Sequence, residues 1–284
     1  MKVQISLTVE AGKRLIAKAI LTLPAVRRAL AEGRLLLKGG TTVSLISEAV
    51  CGVPLKICGR IDRRGAGSCA EDCPAPHSLL LHRGVPAPLD AELWSSGKLR
   101  FSPGDACVIG ANLVDRHGRA AMLAGSPFGG TLHFFTALPA EGVEMIVAAG
   151  LEKYAPCSLD DAMAAASRAA PDLSMGMAAG LIPIPGRVIN EAEACKILGA
   201  AEVQIVARGG IQGSEGGCTL LASFDEHSQG EAFFNEILAL SGTAFQKSAG
   251  DAKSLKSCLD TACGPTGAEH RGCWYRGHRR ELPV

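Results

Sequence analysis

Apolar positions recur at helical spacing near the start of the chain. Leu15, Ile16, Ala19, Ile20 and Leu23 predict a helix within residues 10–33; Pro24 opens a second helix through Leu30, and Gly33 ends it. The period then changes. Arg34–Lys38 (RLLLK) reads as a short strand, Gly39-Gly40-Thr41-Thr42 as a turn, and Val43–Val50 as a helix closed by Gly52. Leu55–Cys58 predicts the next strand, so residues 34–58 form a βαβ unit, the building block of a parallel sheet covered by helices. Residues 59–92 (with RRGAGSCAEDCPAPH) break the pattern and predict a long loop with one short strand at Leu79–Leu81. Asp105–Gly110 and Val143–Ala148 predict buried strands, and helices are expected at Thr131–Leu138 and Leu159–Ala170.

From about Leu181 the order changes. Ile182–Val188 predicts a strand, Asn190 caps a helix over Glu191–Leu198, and Glu202–Ala207 and Cys218–Phe224 are strands joined by a Gly-rich turn. A helix at Gly230–Leu240 completes a βαββα order. The expected organisation is an α/β domain over 1–180, with a Rossmann-like parallel sheet flanked by helices, a smaller C-terminal α+β domain over 181–245, and an irregular tail over 246–284. That tail carries Cys258, Cys263, His270, Cys273 and His278.

Composition narrows the functions. Among 284 residues, 47% are hydrophobic, too many for a disordered chain. Lys plus Arg is 29 against 28 Asp plus Glu, so a net charge of +1 gives no general attraction to nucleic acid or anionic lipid. Aromatics at 4% leave no stacking platform for single strands. No apolar run reaches about 18 residues, so no membrane span is expected. Glu10, Lys13, Arg14 and Lys18 interrupt any signal-peptide core, and 11 scattered Cys argue against a secreted disulfide framework, so a cytoplasmic location is expected.

Two segments carry candidate chemistry. In Leu35–Ala49 (LLLKGGTTVSLISEA) a strand ends in two glycines and then in hydroxyls at a helix N-terminus, where free N–H groups and the helix dipole favour anions. Gly39 and Gly40 permit close backbone approach, while Thr41, Thr42 and Ser44 can donate to phosphate or carboxylate. Lys38, if solvated, adds only a modest Coulomb contribution. An ordinary glycine turn with a Thr cap is the plainer alternative. The second segment, Gly104–Gly130, delivers Asn112 at the end of a buried strand, then Asp115 and His117 in a turn, then Gly125, Ser126, Gly129 and Gly130 before a helix. Ligands of open α/β sheets sit outside the carboxyl ends of the strands, so both segments are expected to face one cleft. A polar β-turn is the plainer reading of Asp115 and His117.

The order helix, strand, GGTT, helix, then GDxxxIGAN, DxxG, GSPFGG, a strand and Lys153 resembles the NagB/RpiA/CoA-transferase-like superfamily over about residues 10–157. The resemblance implies a Rossmann-like sheet and a phosphorylated sugar or a CoA ester as ligand. Sugar-phosphate isomerases of that group carry Gly-Ala-Asp where this chain has Asn112, which cannot take up a proton in the same way. The Lys that precedes the second Gly-rich turn in ribose-phosphate isomerases is also absent from Met122-Leu123-Ala124. Asp115 is the substitute carboxylate, and Lys153 matches a Lys found after the next strand in some members. Ser214-Glu215-Gly216-Gly217 resembles the CoA-transferase Glu segment but reads as a hairpin turn.

The expected function is binding of a small anionic ligand, phosphorylated or CoA-linked. Isomerase-like or CoA-transferase-like activity is one alternative. Metal or redox sensing through Cys58, Cys69 and Cys73, with zinc or an iron–sulfur cluster, is another. A homo-oligomer is an open expectation.

Overall fold

A computed structural model describes residues 1–68, 74–89 and 91–241. The chain opens with β1 (Lys2–Leu7), whose side chains alternate exposed and buried. Thr8 caps α1 (Val9–Thr22) by accepting a hydrogen bond from Ala11 N, and α2 (Pro24–Ala31) starts on its proline. Then come β2 (Arg34–Lys38) and α3 (Thr41–Cys51), which ends on Gly52 in the left-handed conformation. Two hairpins follow, β3 (Gly59–Asp62) with β4 (Gly65–Ser68) and β5 (Ser78–His82) with β6 (Val85–Pro88). After α4 (Ala91–Ser95) come β7 (Ala106–Gly110), β8 (Leu113–Val114), β9 (Ala120–Ala124), α5 (Leu132–Ala137), β10 (Glu144–Ala148) and α6 (Leu159–Ala165). The described chain finishes with β11 (Gly180–Ile184), β12 (Arg187–Ile189), α7 (Glu191–Ile197), β13 (Glu202–Arg208), β14 (Cys218–Ser223) and α8 (His227–Leu240).

The fold is mixed α/β. Its centre is a six-stranded sheet in the order β12-β10-β7-β2-β5-β6. β12, β10, β7 and β2 run parallel, while β5 and β6 add an antiparallel edge. β2 is buried on both faces. Leu35 and Leu37 join one apolar cluster with α1, Val108 and Ile146, and Leu36 joins the other with Cys107, Ile109 and Phe135. Such two-sided burial requires the continuous apolar run that the sequence has there. The second cluster is backed by Trp94, which stacks on Phe134 and meets Phe135 edge-on.

Several expectations are corrected. Leu55–Cys58 is not a strand: Leu55 N donates to Ser44 Oγ and Lys56 N to Pro76 O, so this backbone is spent on a helix side chain and a loop. The parallel partner of β2 is β7, far downstream. Residues 59–92 hold two hairpins in place of a loop with one strand. The expected strand at 182–188 breaks at Gly186 (φ 128°), and α6 stops at Ala165. In residues 180–241, β11 pairs with β9, β12 with β10, and β14 with both β13 and β1. β1, β8 and β9 are strands the apolar pattern did not single out, and β1 supplies the edge on which β14 is laid.

No helix among the described residues is long and apolar enough to cross a membrane. Leu37→Ala, at a fully buried position of β2, is expected to cost about 2–5 kcal/mol in urea unfolding. Val85→Ala on the exposed edge strand β6 should change stability by no more than about 0.5 kcal/mol.

Candidate functional site at the carboxyl edge of the parallel strands

The four parallel strands end on one edge, and their last residues set what lies there. β2 delivers Lys38, Gly39 and Gly40; β7 delivers Gly110 and Asn112; β10 leads to Gly150–Lys153; β12 leads to Asn190 and Glu191.

At β2 the structure gives the strand-to-helix junction that the sequence predicts. Gly40 is the N-cap of α3, and no side chain caps the helix. The first intrahelical bond runs from Ser44 N to Gly40 O, which leaves the N–H groups of the first turn without intrahelical acceptors. Thr41 is exposed at this end and Thr42 is buried. Gly39 has a structural duty: a Cβ there would collide with His77 O and stand 2.7 Å from Lys56 O. Among the described residues a Cβ on Gly40 would meet nothing closer than 3.8 Å. Ser44 is not available to a ligand, because its hydroxyl donates to Glu48 Oε1 at 2.7 Å and accepts from Leu55 N at 3.0 Å.

Lys38 is the unexpected element. It is only 7% exposed, not the solvated residue that its place before a turn suggests. It shares a sheet face with Leu36, and its register partner is Ser78 on β5. Burial pushes its ammonium below the ordinary lysine value, partly offset by the nearby thiols Cys107 and Cys58. Among the described residues it makes no hydrogen bond or ion pair, yet its Nζ is not one of the atoms sealed from solvent without a partner. His77 borders the same place. Burial, then Lys38 and Lys56, lower its pKa to about 4, so the imidazole is neutral at pH 7. Its Nδ1 lies 3.0 Å from Ser78 Oγ.

The second segment divides. Asn112 follows β7, but its Oδ1 accepts from Leu123 N at 3.0 Å, which ties it to β9. Asp115 is fully buried and spent on structure. It accepts from His117 N, Arg119 N, Arg119 Nε and Leu159 N at 2.8–3.0 Å. Burial alone would raise its pKa, but these donors outweigh it and hold the carboxyl well below the usual range. It is therefore a pin for the 115–119 turn and the start of α6, in place of the expected acid/base carboxylate. Gly125, Ser126, Gly129 and Gly130 shape the bend between β9 and α5, outside the six-stranded sheet. A Cβ at Gly125 would collide with Met177, and one at Gly129 with Ile182, so these glycines serve packing against residues 177–182. Phe128, at φ 53° and 92% exposed, stands out from this loop.

Lys153 is 37% exposed, with Nζ 3.8 Å from Glu152 Oε1. Beside it lies a pair the sequence reading missed. Glu191, 3% exposed, accepts from Leu151 N at 2.7 Å through Oε2. A Cβ on Gly150 would stand 2.7 Å from Glu191 Oε1 and collide with Glu152 Oε2. Glu152 Oε2 is sealed from solvent without a hydrogen-bond partner. Desolvation, then the neighbouring Glu152, raise the pKa of Glu191; Arg208 opposes this and donates to Leu151 O. The signal in the sequence was positional only: Glu152 and Glu191 follow the ends of parallel strands by four and two residues.

Among the described residues no group of three His, Cys, Asp or Glu is placed to hold a metal. Cys58 is half-buried, and Cys69 and Cys73 lie outside the described residues, as do the Cys and His of 246–284. Comparison with protein families, with curated proteins and with solved structures finds no match.

Because the Asp115 carboxyl is held low in the folded state, its stabilisation is complete above the unfolded value of about 3.9 and is lost progressively as pH falls from there through the depressed folded value. Denaturation followed from pH 7 down to pH 2 should show Asp115→Asn less stable than wild type at pH 7 and with a flatter acid limb. Parallel limbs would remove Asp115 from its pinning role.

Proposed function

We propose that this chain binds a small anionic ligand, phosphorylated or CoA-linked, where β2 meets α3. The observation that carries the reading is Lys38: a lysine at the carboxyl end of a parallel strand, more than nine-tenths buried, with no hydrogen bond or ion pair among the described residues. An uncompensated buried cation is costly and is retained where something else meets its charge. The uncapped first turn of α3 adds N–H groups and the positive end of a dipole to the same junction. Four parallel strands followed by loops at one edge support a Rossmann-like reading of the sheet, in which that edge is the ligand side.

A second reading, an enzyme of the sugar-phosphate isomerase kind, is favoured by one observation. Glu152 and Glu191 restore to this edge the carboxylate that Asn112 lacks. β10 lies two strands from β2, about 10 Å at the usual spacing, a distance that a phosphorylated sugar spans. Burial and the neighbouring Glu152 raise the pKa of Glu191, which makes it the carboxyl at this edge suited to give and take a proton.

The test separates binding from folding. Lys38→Met should unfold at higher urea than wild type at pH 7, because it removes a buried amine with no partner, and should bind pyrophosphate or CoA more weakly by about 1.5–3 kcal/mol, the worth of a charge-assisted hydrogen bond. Calorimetric titration and urea unfolding of the same two proteins check both halves. A less stable variant with unchanged affinity would overturn the reading.

A further inference from the structure

We propose that Lys38 is a nucleophile that forms an imine with carbonyl compounds bearing a phosphate or carboxylate. The anion is seated by the first turn of α3, and the neighbouring His77–Ser78 pair carries the proton. This deepens the anion-binding reading of the β2–α3 junction and rests on it.

Three features of the site lead here. First, an amine attacks a carbonyl only as the neutral base, and lysines used this way are desolvated or set beside other cations. Lys38 meets the first condition: it is buried on the apolar face of Leu36, Leu80 and Cys107. Second, its tip is usable. No hydrogen bond or ion pair occupies Nζ among the described residues, and Nζ is not sealed from solvent, in contrast to Glu152 Oε2. A structural lysine buried this deeply would have its donors engaged. Third, proton-transfer groups are beside it. Ser78 is the cross-strand partner of Lys38, and its Oγ lies 3.0 Å from His77 Nδ1. Directly opposed residues of antiparallel strands hold their Cβ atoms about 5 Å apart, so hydroxyl and amine share one neighbourhood. His77 is neutral at pH 7 and can accept a proton as well as pass one on.

The step balances without an outside oxidant or reductant. The Nζ lone pair bonds to the carbonyl carbon as the C=O π pair moves to oxygen. The nitrogen loses a proton and the oxygen gains one, giving a carbinolamine, and the His77–Ser78 pair relays that proton. A further proton on the hydroxyl lets it leave as water while the nitrogen lone pair forms C=N⁺. Amine, carbonyl and one proton become an iminium and water. The iminium then meets the same two demands as the free ammonium, a cation in an apolar slot and an anion seated next to it, and the substrate's own phosphate or carboxylate supplies the counter-charge. That pairing selects carbonyl compounds with an anionic group over neutral ones.

The experiment is reductive trapping on the full chain. The protein is incubated with glyceraldehyde 3-phosphate or with glyceraldehyde, each with sodium cyanoborohydride, and mapped by peptide mass spectrometry. With the phosphorylated aldehyde, Lys38 should be the lysine labelled fastest, ahead of every exposed lysine. Inorganic phosphate should protect it, a readout on the unaltered protein. Lys38→Arg, which keeps a cation, should lose this label while still binding phosphate, as followed by thermal shift, and Lys38→Met tests the same loss if the arginine variant does not fold. Labelling spread over exposed lysines such as Lys98, with no preference for Lys38 from either aldehyde, overturns the proposal. Fast labelling of Lys38 by both aldehydes alike, unprotected by phosphate, keeps the reactive amine and overturns the anion seat of the preceding reading.

Discussion

Burial of β2 and β7 on both faces is the constraint from which the rest follows. A strand covered on each side must be apolar along its length, as Leu35–Leu37 and Ala106–Ile109 are, and its polar groups are driven to its ends. Lys38 is the residue where that rule fails. The chain stays in register with Ser78 for one position past the leucines, so a lysine is carried into the sheet that a turn would otherwise have released to water. The cost of holding it there is not met by any described neighbour, and this makes the carboxyl edge chemically distinct from the rest of the surface.

Polar side chains elsewhere sort by whether their bonds are complete. Asp115 has four donors and is a fastener. Ser44 is closed between Glu48 and Leu55, and Asn112 holds Leu123. Among the described residues, Glu152 Oε2 and Glu236 Oε1 are sealed from solvent without a hydrogen bond, and Lys38 is buried with no hydrogen bond or ion pair; Lys38 and Glu152 lie at the ends of parallel strands. Completed networks stabilise and specify the fold.

The sequence made much of the central architecture legible and less of the chemistry. Strong local signals survived: the helical period of α1, Pro24 at the start of α2, the leucine run of β2, Gly52 after α3, and Asn190 accepting from Glu193 N at the start of α7. What failed was long-range. Leu55–Cys58 has strand-like residues, but β7 and β5 had taken both flanks of β2, and no local pattern reports that competition. In residues 180–241 the pairings of β11 with β9, β12 with β10 and β14 with β1 are likewise long-range, whereas that of β13 with β14 is local. Among site residues, the GGTT junction was visible because glycine and hydroxyls at a strand end have a local meaning. Asp115 looked like an exposed turn acid because the donors that saturate it come partly from Leu159, 44 residues away. Lys38 looked solvated for the same reason: its burial is decided by strands paired from elsewhere in the chain.

The central claim is that Lys38 is a buried amine without a permanent counter-charge, and its own titration tests this most directly. Carbon-13 NMR of the lysine Cε groups, with Lys38 assigned through Lys38→Arg, should show one resonance titrating below the others in the free protein. It should move back towards ordinary lysine behaviour when pyrophosphate is added, since an anion beside the ammonium favours its charged form. If Lys38 instead titrates with the exposed lysines and ignores pyrophosphate, the buried amine is neither desolvated nor part of an anion site, and the account is wrong.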